Sequence, residues 1–309
     1  MMVQISNLRK HYGLTRAVND ISFAFTTGQI FGFVGPNGAG KSTTMRVLAA
    51  LEEPTGGDCY IDGVSVVEYP DKAHHLVGYV PDQLPDHRDI SVHEYLDFFA
   101  RAYGLRGDRR RRVVDEIEEF TNLQGIRDKH INALSKGMKN RVSVARALVH
   151  DPPVLIMDEP ASGLDPRARI ELRELLKVLA TQGKAILISS HILTELSEIC
   201  NGAVFIERGK ILRAGTLDQL LRADVPHRTL VIRPLDRLAE MHRHLLVQPT
   251  VEAVRATDQT LEVDAATDDA GACQLLADLL AAGFRVLEFH QQRTGLEQIF
   301  MTVTRGEVQ

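Results

Sequence analysis

The chain has 309 residues, of which 44% are hydrophobic and 25% charged, with a formal net charge of -5. That length allows a sizeable core and roughly two domains. The acidic balance, without a long basic run, speaks against a nucleic-acid surface. Cys59, Cys200 and Cys273 are too scattered for a disulfide framework or a metal-ligand pattern, and read as reduced thiols in or near the core.

The opening "MMVQISNLRK" lacks the apolar stretch expected of a signal peptide. No window approaches the roughly 18 apolar residues of a membrane span. The chain is expected to be soluble, so work at a membrane would need a partner that supplies the spans.

The first 28 residues alternate in polarity and predict two strands with a turn near Gly13. "QIFGFV" is a short apolar strand that runs into "GPNGAGKS", Gly35 to Ser42. The spacing fits G-x-x-x-x-G-K-[ST]. Its glycines let the backbone curl so that N–H groups point at phosphates. The loop Gly35, Asn37, Gly38, Ala39, Gly40, Lys41, Ser42 and Thr43 is thus predicted to hold a nucleoside triphosphate. Lys41 supplies charge to the β- and γ-phosphates, and the Ser42 hydroxyl is a magnesium ligand. The helix that starts here, "KSTTMRVLAAL", adds its positive end, and "EEPTGG" stops it.

A short strand "DCYIDG" turns at Gly63, and residues 71–83 hold another strand, "LVGYVP". From Ser91 to about Lys129 apolar residues recur at helical spacing, which predicts a helical insert at about 90–130. Its basic cluster, Arg109 to Arg112, reads as a solvated helix start. In "LSKGMKNR", Ser135 precedes a helical run and can cap it.

"PVLIMDEP" and "KAILISSH" suit buried parallel strands, with a helix between them that starts after Asp165 and stops at Gly183. This is a right-handed crossover unit of an α/β sheet. Asp158 ends the first strand, where a carboxylate can reach magnesium. Glu159 follows, expected on the opposite side of the strand end, as general base for an attacking water. "GAVFIERGKILRAGT" predicts a hairpin.

Composition shifts near residues 222–228. Beyond lie strand 229–233, helix 236–246, strands 251–256 and 260–264, helix 270–282, strand 284–290 and a last helix "GLEQIFMTV". That βαββαβ order matches a split βαβ, ferredoxin-like arrangement. The predicted organisation is an ATP-binding domain at 1–222 and a C-terminal α+β accessory domain at 225–309.

With these motifs in this order, residues 1–222 resemble the ATPase subunit of an ATP-binding cassette (ABC) transporter. The resemblance implies a P-loop α/β fold with a mixed sheet core, an antiparallel β subdomain and a helical insert. It implies ATP and magnesium as cofactors, and hydrolysis between two cassettes stacked head to tail. The segment 134–138 is similar to the family signature L-S-G-G-Q at Leu134, Ser135 and Gly137, and departs at Lys136 and Met138. By resemblance Ser135 and Gly137 face the γ-phosphate on the opposite subunit, and His191 holds the attacking water. Asp165 belongs to the loop linking the two sites, and Tyr12 stacks on adenine. The family's magnesium-sensing glutamine falls at Asp82, with Gln83 next, and the sequence leaves both open; Asp82 joins Ser42 and Asp158 as a candidate metal ligand.

The lysine-bearing signature and the α+β tail resemble two-component exporters of drugs, sodium or polysaccharides. The implied protein is an exporter motor: a homodimer, cytoplasmic and peripheral on the inner face of the plasma membrane, that drives a separate transmembrane permease and needs no nucleic acid. Two alternatives are a soluble cassette acting on nucleic acid or ribosomes, and a regulatory cassette that never hydrolyses. One P-loop, a short insert in place of a long coiled coil, and intact Lys41, Asp158, Glu159 and His191 oppose them.

Overall fold

The computed structural model describes residues 1–84, 89–190, 196, 198–222 and 227–291. The chain divides into two compact units, one up to Asp218 and one from Gln219.

In the first unit, β1 (Met2–Tyr12) and β2 (Thr15–Thr26) pair antiparallel across the Gly13 turn. With β4 (Gly56–Ile61) and β5 (Val64–Ser65) they form an antiparallel sheet of order β2-β1-β4-β5. Alternate residues of β2, Ile21, Phe23 and Phe25, are buried, as a half-buried strand requires, and a register shift separates them from the buried Val18.

The second sheet is mixed, of order β10-β9-β3-β8-β7-β6. Here β3 (Ile30–Val34), β6 (Val77–Val80), β7 (Val154–Met157), β8 (Ala185–Ser190) and β9 (Gly202–Glu207) run parallel, and β10 (Lys210–Thr216) closes antiparallel on β9. Every residue of β3, β7 and β8 is buried, the mark of central parallel strands. One core joins the two sheets and the helix α1 (Lys41–Leu48), with Ile5, Phe25, Phe33, Met45, Leu48 and Val204 at its centre.

Between Tyr69 and Val77 lies α2 (Pro70–Leu76), where the sequence reading ran on toward a strand. Proline opens this helix and only Ala73 is buried, so seven residues carry no readable apolar stripe. The strand itself is only Val77–Val80.

Two helices, α3 (Val92–Ala102) and α4 (Gly107–Phe120), build a separate small core with Tyr95, Leu96, Val114, Leu123 and Ile131. A capping box starts α3: the Ser91 side chain accepts from Glu94 N–H, and Glu94 accepts from Ser91 N–H. Ser91 and His130 bridge where the segment leaves and rejoins the rest of the unit. The fully buried Glu118 lies 2.7 Å from His93 Nδ1 and 3.2 Å from Arg127 Nε, so a guanidinium offsets the charge of the buried carboxylate. Then α5 (Lys136–Leu148) packs on this core, and α6 (Pro166–Thr181) links β7 to β8. The short α7 spans Leu217–Arg222. Cys59 and Cys200 are buried; Cys273 is exposed and not in a core.

The second unit carries β11 (His227–Pro234), α8 (Leu238–Leu246), β12 (Val251–Ala256), β13 (Leu261–Ala266), α9 (Asp269–Ala281) and β14 (Val286–Gln291). Its sheet is antiparallel throughout, in the order β12-β13-β11-β14. Leu230, Ile232, Leu261 and Val263 pack against Met241, Leu245, Leu275 and Leu279 of the helices. The Asp268 carboxylate caps α9 by accepting from Gly271 N–H at 2.8 Å. The segment "GLEQIFMTV", expected as a last helix, lies outside the described residues.

Candidate active site

The edge formed by the ends of β3, β6 and β7 holds the chemistry. At Val34 the fully buried β3 stops, residues 35–40 turn, and α1 begins at Lys41. Gly40 makes this turn at φ 106°, and a Cβ there would lie 2.4 Å from the Ala17 carbonyl oxygen. Only glycine fits such a place. No side chain caps α1 and no acidic residue sits in its first turn. Its first N–H groups therefore lack intrahelical acceptors and face an anion-binding position.

Lys41 is only 6% exposed. Its ammonium donates to the carbonyls of Gly35 at 2.6 Å and Pro36 at 3.1 Å, and stands 3.7 Å from Glu159 Oε1. Burial lowers its pKa; the nearby Glu159 and Asp158 carboxylates oppose that shift. The result is a buried cation whose nearest charged neighbours are the two acids.

Asp158 follows the last residue of β7, and its N–H donates to Val80 O at 2.8 Å. Its carboxylate is 5% exposed and accepts from Ser189 Oγ at 2.8 Å. Glu159 does not face away from it, as strand alternation predicted. Glu159 has φ 48°, outside the β region, so the alternation ends there and both acids line one cleft with Lys41. The same Ser189 Oγ accepts from Glu159 N–H at 2.8 Å. Ser189 thus clamps both acids, a role the sequence reading missed. Its only signal was a serine at the buried end of "AILISS", the strand paired with β7.

The cleft measures about 380 Å³ and is lined by Asn37, Gly38, Gly40, Lys41, Ser42, Thr43, Asp82, Asp158 and Glu159, with Ala17 from β2. Gly35 and Ala39 lie behind this lining: Ala39 N–H donates to Pro36 O, and Gly35 O accepts from Lys41. Asp82 lines both this cleft and a neighbouring cavity with Lys136 and Ser143, whereas Gln83 borders only the neighbouring cavity. Asp82→Ala is therefore expected to raise the magnesium concentration for half-maximal ATPase activity by about tenfold, the loss of one charged ligand. Gln83→Ala should leave it within about twofold. Magnesium titrations of both variants check this, and the reverse pattern would make Gln83 the sensor.

Tyr12, at the end of β1, lies beside the start of α1. Its hydroxyl donates to Glu52 Oε1, and it makes a side-chain hydrogen bond with Thr43. Desolvation first, then Glu52, raises its pKa. The ring is 45% exposed, and Lys10 Nζ sits 5.1 Å from its centroid.

Ser135 and Gly137 do not line this cleft. Ser135 caps α5, its Oγ accepting from Met138 N–H at 3.3 Å. Gly137 faces Leu164 and Ala168. Asp165 caps α6 by accepting from Ala168 N–H at 2.9 Å. His191 lies outside the described residues.

Comparison with known proteins fits this site. A family model described as ABC transporter matches residues 18–162. "Nod factor export ATP-binding protein I" of Ralstonia nicotianae is 32% identical over 307 residues, 99% of this chain and 95% of the relative. "Linearmycin resistance ATP-binding protein LnrL" of Bacillus subtilis is 30% identical and covers 98% of both chains. Among solved structures, the ATP-binding subunit of an ABC transporter superposes with a TM-score of 0.66 at 30% identity, covering 72% of this chain and 92% of that one. A dimeric ATP-binding cassette in a post-hydrolysis state with ADP and Pi gives a TM-score of 0.64 at 25% identity, covering 70% and 98%. A phosphate-binding loop, a buried lysine and two converging acids, in a chain that aligns end to end with such relatives, place it: the chain belongs to the ABC transporter family, as an ATP-binding, ATP-hydrolysing subunit of the exporter group.

Proposed function

We propose that this chain powers export through a separate transmembrane permease by ATP-driven, head-to-tail pairing of two cassettes. The observation that carries the reading is the convergence of Lys41, Asp158 and Glu159 on the open phosphate loop. In that cleft the loop amides and Lys41 bind the phosphates, Tyr12 offers its exposed ring to adenine, and Glu159 accepts a proton from the attacking water. His191 positions that water.

The residues present suit magnesium. Ser42, Asp82 and Asp158 bring only hard oxygen donors to one cleft, and Asp158 is a buried carboxylate beside the phosphate loop. When bound, the ion would be held by these three and would neutralise charge on the transferred phosphate.

Dimerisation explains why Ser135 and Gly137 lie away from the cleft of their own chain. On a facing subunit, the Ser135-capped start of α5 meets the γ-phosphate held by the first, with Asp165 at the link between the two sites. ATP completes both interfaces, and hydrolysis removes that bridge. The dimeric assembly named for a structural relative supports this reading. The segment 90–130 presses on the permease, and 1–222 forms the motor.

No described helix is long and apolar enough to cross a membrane. We place the protein at the inner face of the plasma membrane, held there by the permease, with no nucleic acid bound. We assign 225–309 to an accessory domain of ferredoxin-like type; what supports this is the strand order within the described residues 227–291, where β11 lies between β13 and β14 and β12 is outermost, as in a split βαβ.

Affinity capture of the full chain from detergent-solubilised membranes tests the proposal. A polytopic permease without a substrate-binding receptor protein is the expected partner. Ribosomes or DNA-bound factors alone would overturn it.

A further inference from the structure

We infer that Asn140 is a positioning residue for Glu159, tying the general base of each subunit to that subunit's own signature helix. Asn140 lies in the second turn of α5, and its side-chain Nδ2 donates to Pro160 O at 2.7 Å, across twenty residues of sequence. Pro160 directly follows Glu159, so the bond grips the backbone one residue from the base.

Glu159 needs such a grip. Its φ of 48° is uncommon for a residue with a side chain, and the following proline narrows its choices further. A conformation of this kind persists only where the surroundings fix it. Ser189 Oγ holds the N–H of Glu159, Ser162 N–H donates to its carbonyl at 3.0 Å, and Asn140 holds the next carbonyl.

The rest of the first turns of α5 closes on the same loop. Gly163 has φ 67°, and a Cβ there would lie 2.7 Å from Lys136 Nζ and 3.2 Å from Lys136 Cδ. A Cβ on Gly137 would stand 3.8 Å from Leu164 and Ala168. Arg141 pairs with Glu171 and so ties α5 to α6. The helix and the loop 160–165 pack against each other, and Asn140 is the α5 side chain that holds the carbonyl next to the base. The inference rests on the head-to-tail reading above. If α5 senses ATP on the facing subunit, Asn140 passes its position to the base of the other site.

Mixed dimers of full-length chains with two affinity tags test this. One chain carries Glu159→Gln, so a single base remains. Asn140→Asp removes the amide donor and turns an oxygen toward the Pro160 carbonyl. Placed in the chain with the intact Glu159, it should lower kcat by about tenfold or more, with the ATP KM within about twofold. Placed in the Glu159→Gln chain, whose α5 serves the working site, it should leave kcat within about twofold. Asn140→Gln, which keeps a donor, should recover most of the turnover. Equal loss in both placements, loss only in the second, or no loss would overturn the inference. If no ATP-dependent dimer forms, the two-cassette reading fails. The uniform Asn140→Asp protein then decides: a tenfold kcat loss at constant KM upholds the link, and an unchanged kcat refutes it.

Discussion

Glu159→Gln is expected to cut ATP turnover by on the order of 10²- to 10⁴-fold while leaving ATP binding intact. The substitution keeps the shape of the side chain and its backbone grip through Ser189, and removes the group that accepts a proton. Lys41, 3.7 Å away, keeps its bonds to the Gly35 and Pro36 carbonyls, so the phosphate loop retains its form. The carboxylate stands on the cleft that Lys41, Ser42 and Asp158 share, where a water attacking the γ-phosphate would be reached. Single-turnover hydrolysis and size exclusion with ATP measure the two effects. An ATP-stabilised dimer with stalled turnover is the expected result. Normal turnover would remove Glu159 as the base and leave the acid pair with only a binding role.

Lys41→Ala should weaken ATP binding by about 10- to 100-fold, since each hydrogen bond to a charged group contributes about 1.5–3 kcal/mol. Lys41 is the buried cation of the cleft, already desolvated and aimed along the loop. Little further ordering opposes its contact with phosphate, so most of that interaction reaches the affinity. Loss of the ATP-induced rise in thermal midpoint reads the change directly, because ligand stabilisation follows the ratio of ATP concentration to Kd. An unchanged ATP-induced rise would show that the loop amides and the end of α1 bind the phosphates without it.

The pair β1 and β2, the buried parallel strands β7 and β8 and the hairpin β9–β10 follow from alternation and apolar runs visible in the chain, whereas the strand order around β3 does not. The helix α2 did not, since seven residues with one buried alanine leave no period to read. At the site, the phosphate loop was legible because its demands are local: glycines where the backbone turns, then a lysine and a serine where a helix starts.

The sequence by itself therefore determined which residue types meet the phosphates, and that a second, differently patterned unit follows. Tertiary structure alone decided which neighbours share the cleft. It put Asp82 on the cleft and kept Gln83, its neighbour, off it. It turned Glu159 to the same side as Asp158, because a single positive φ ends the alternation on which the sequence reading relied. It brought Ser189 to both acids and Asn140 to Pro160. Those contacts join residues twenty or more positions apart. Their partners are set by the packing of β7 on β8 and of α5 on a loop, and such packing leaves no period in the sequence.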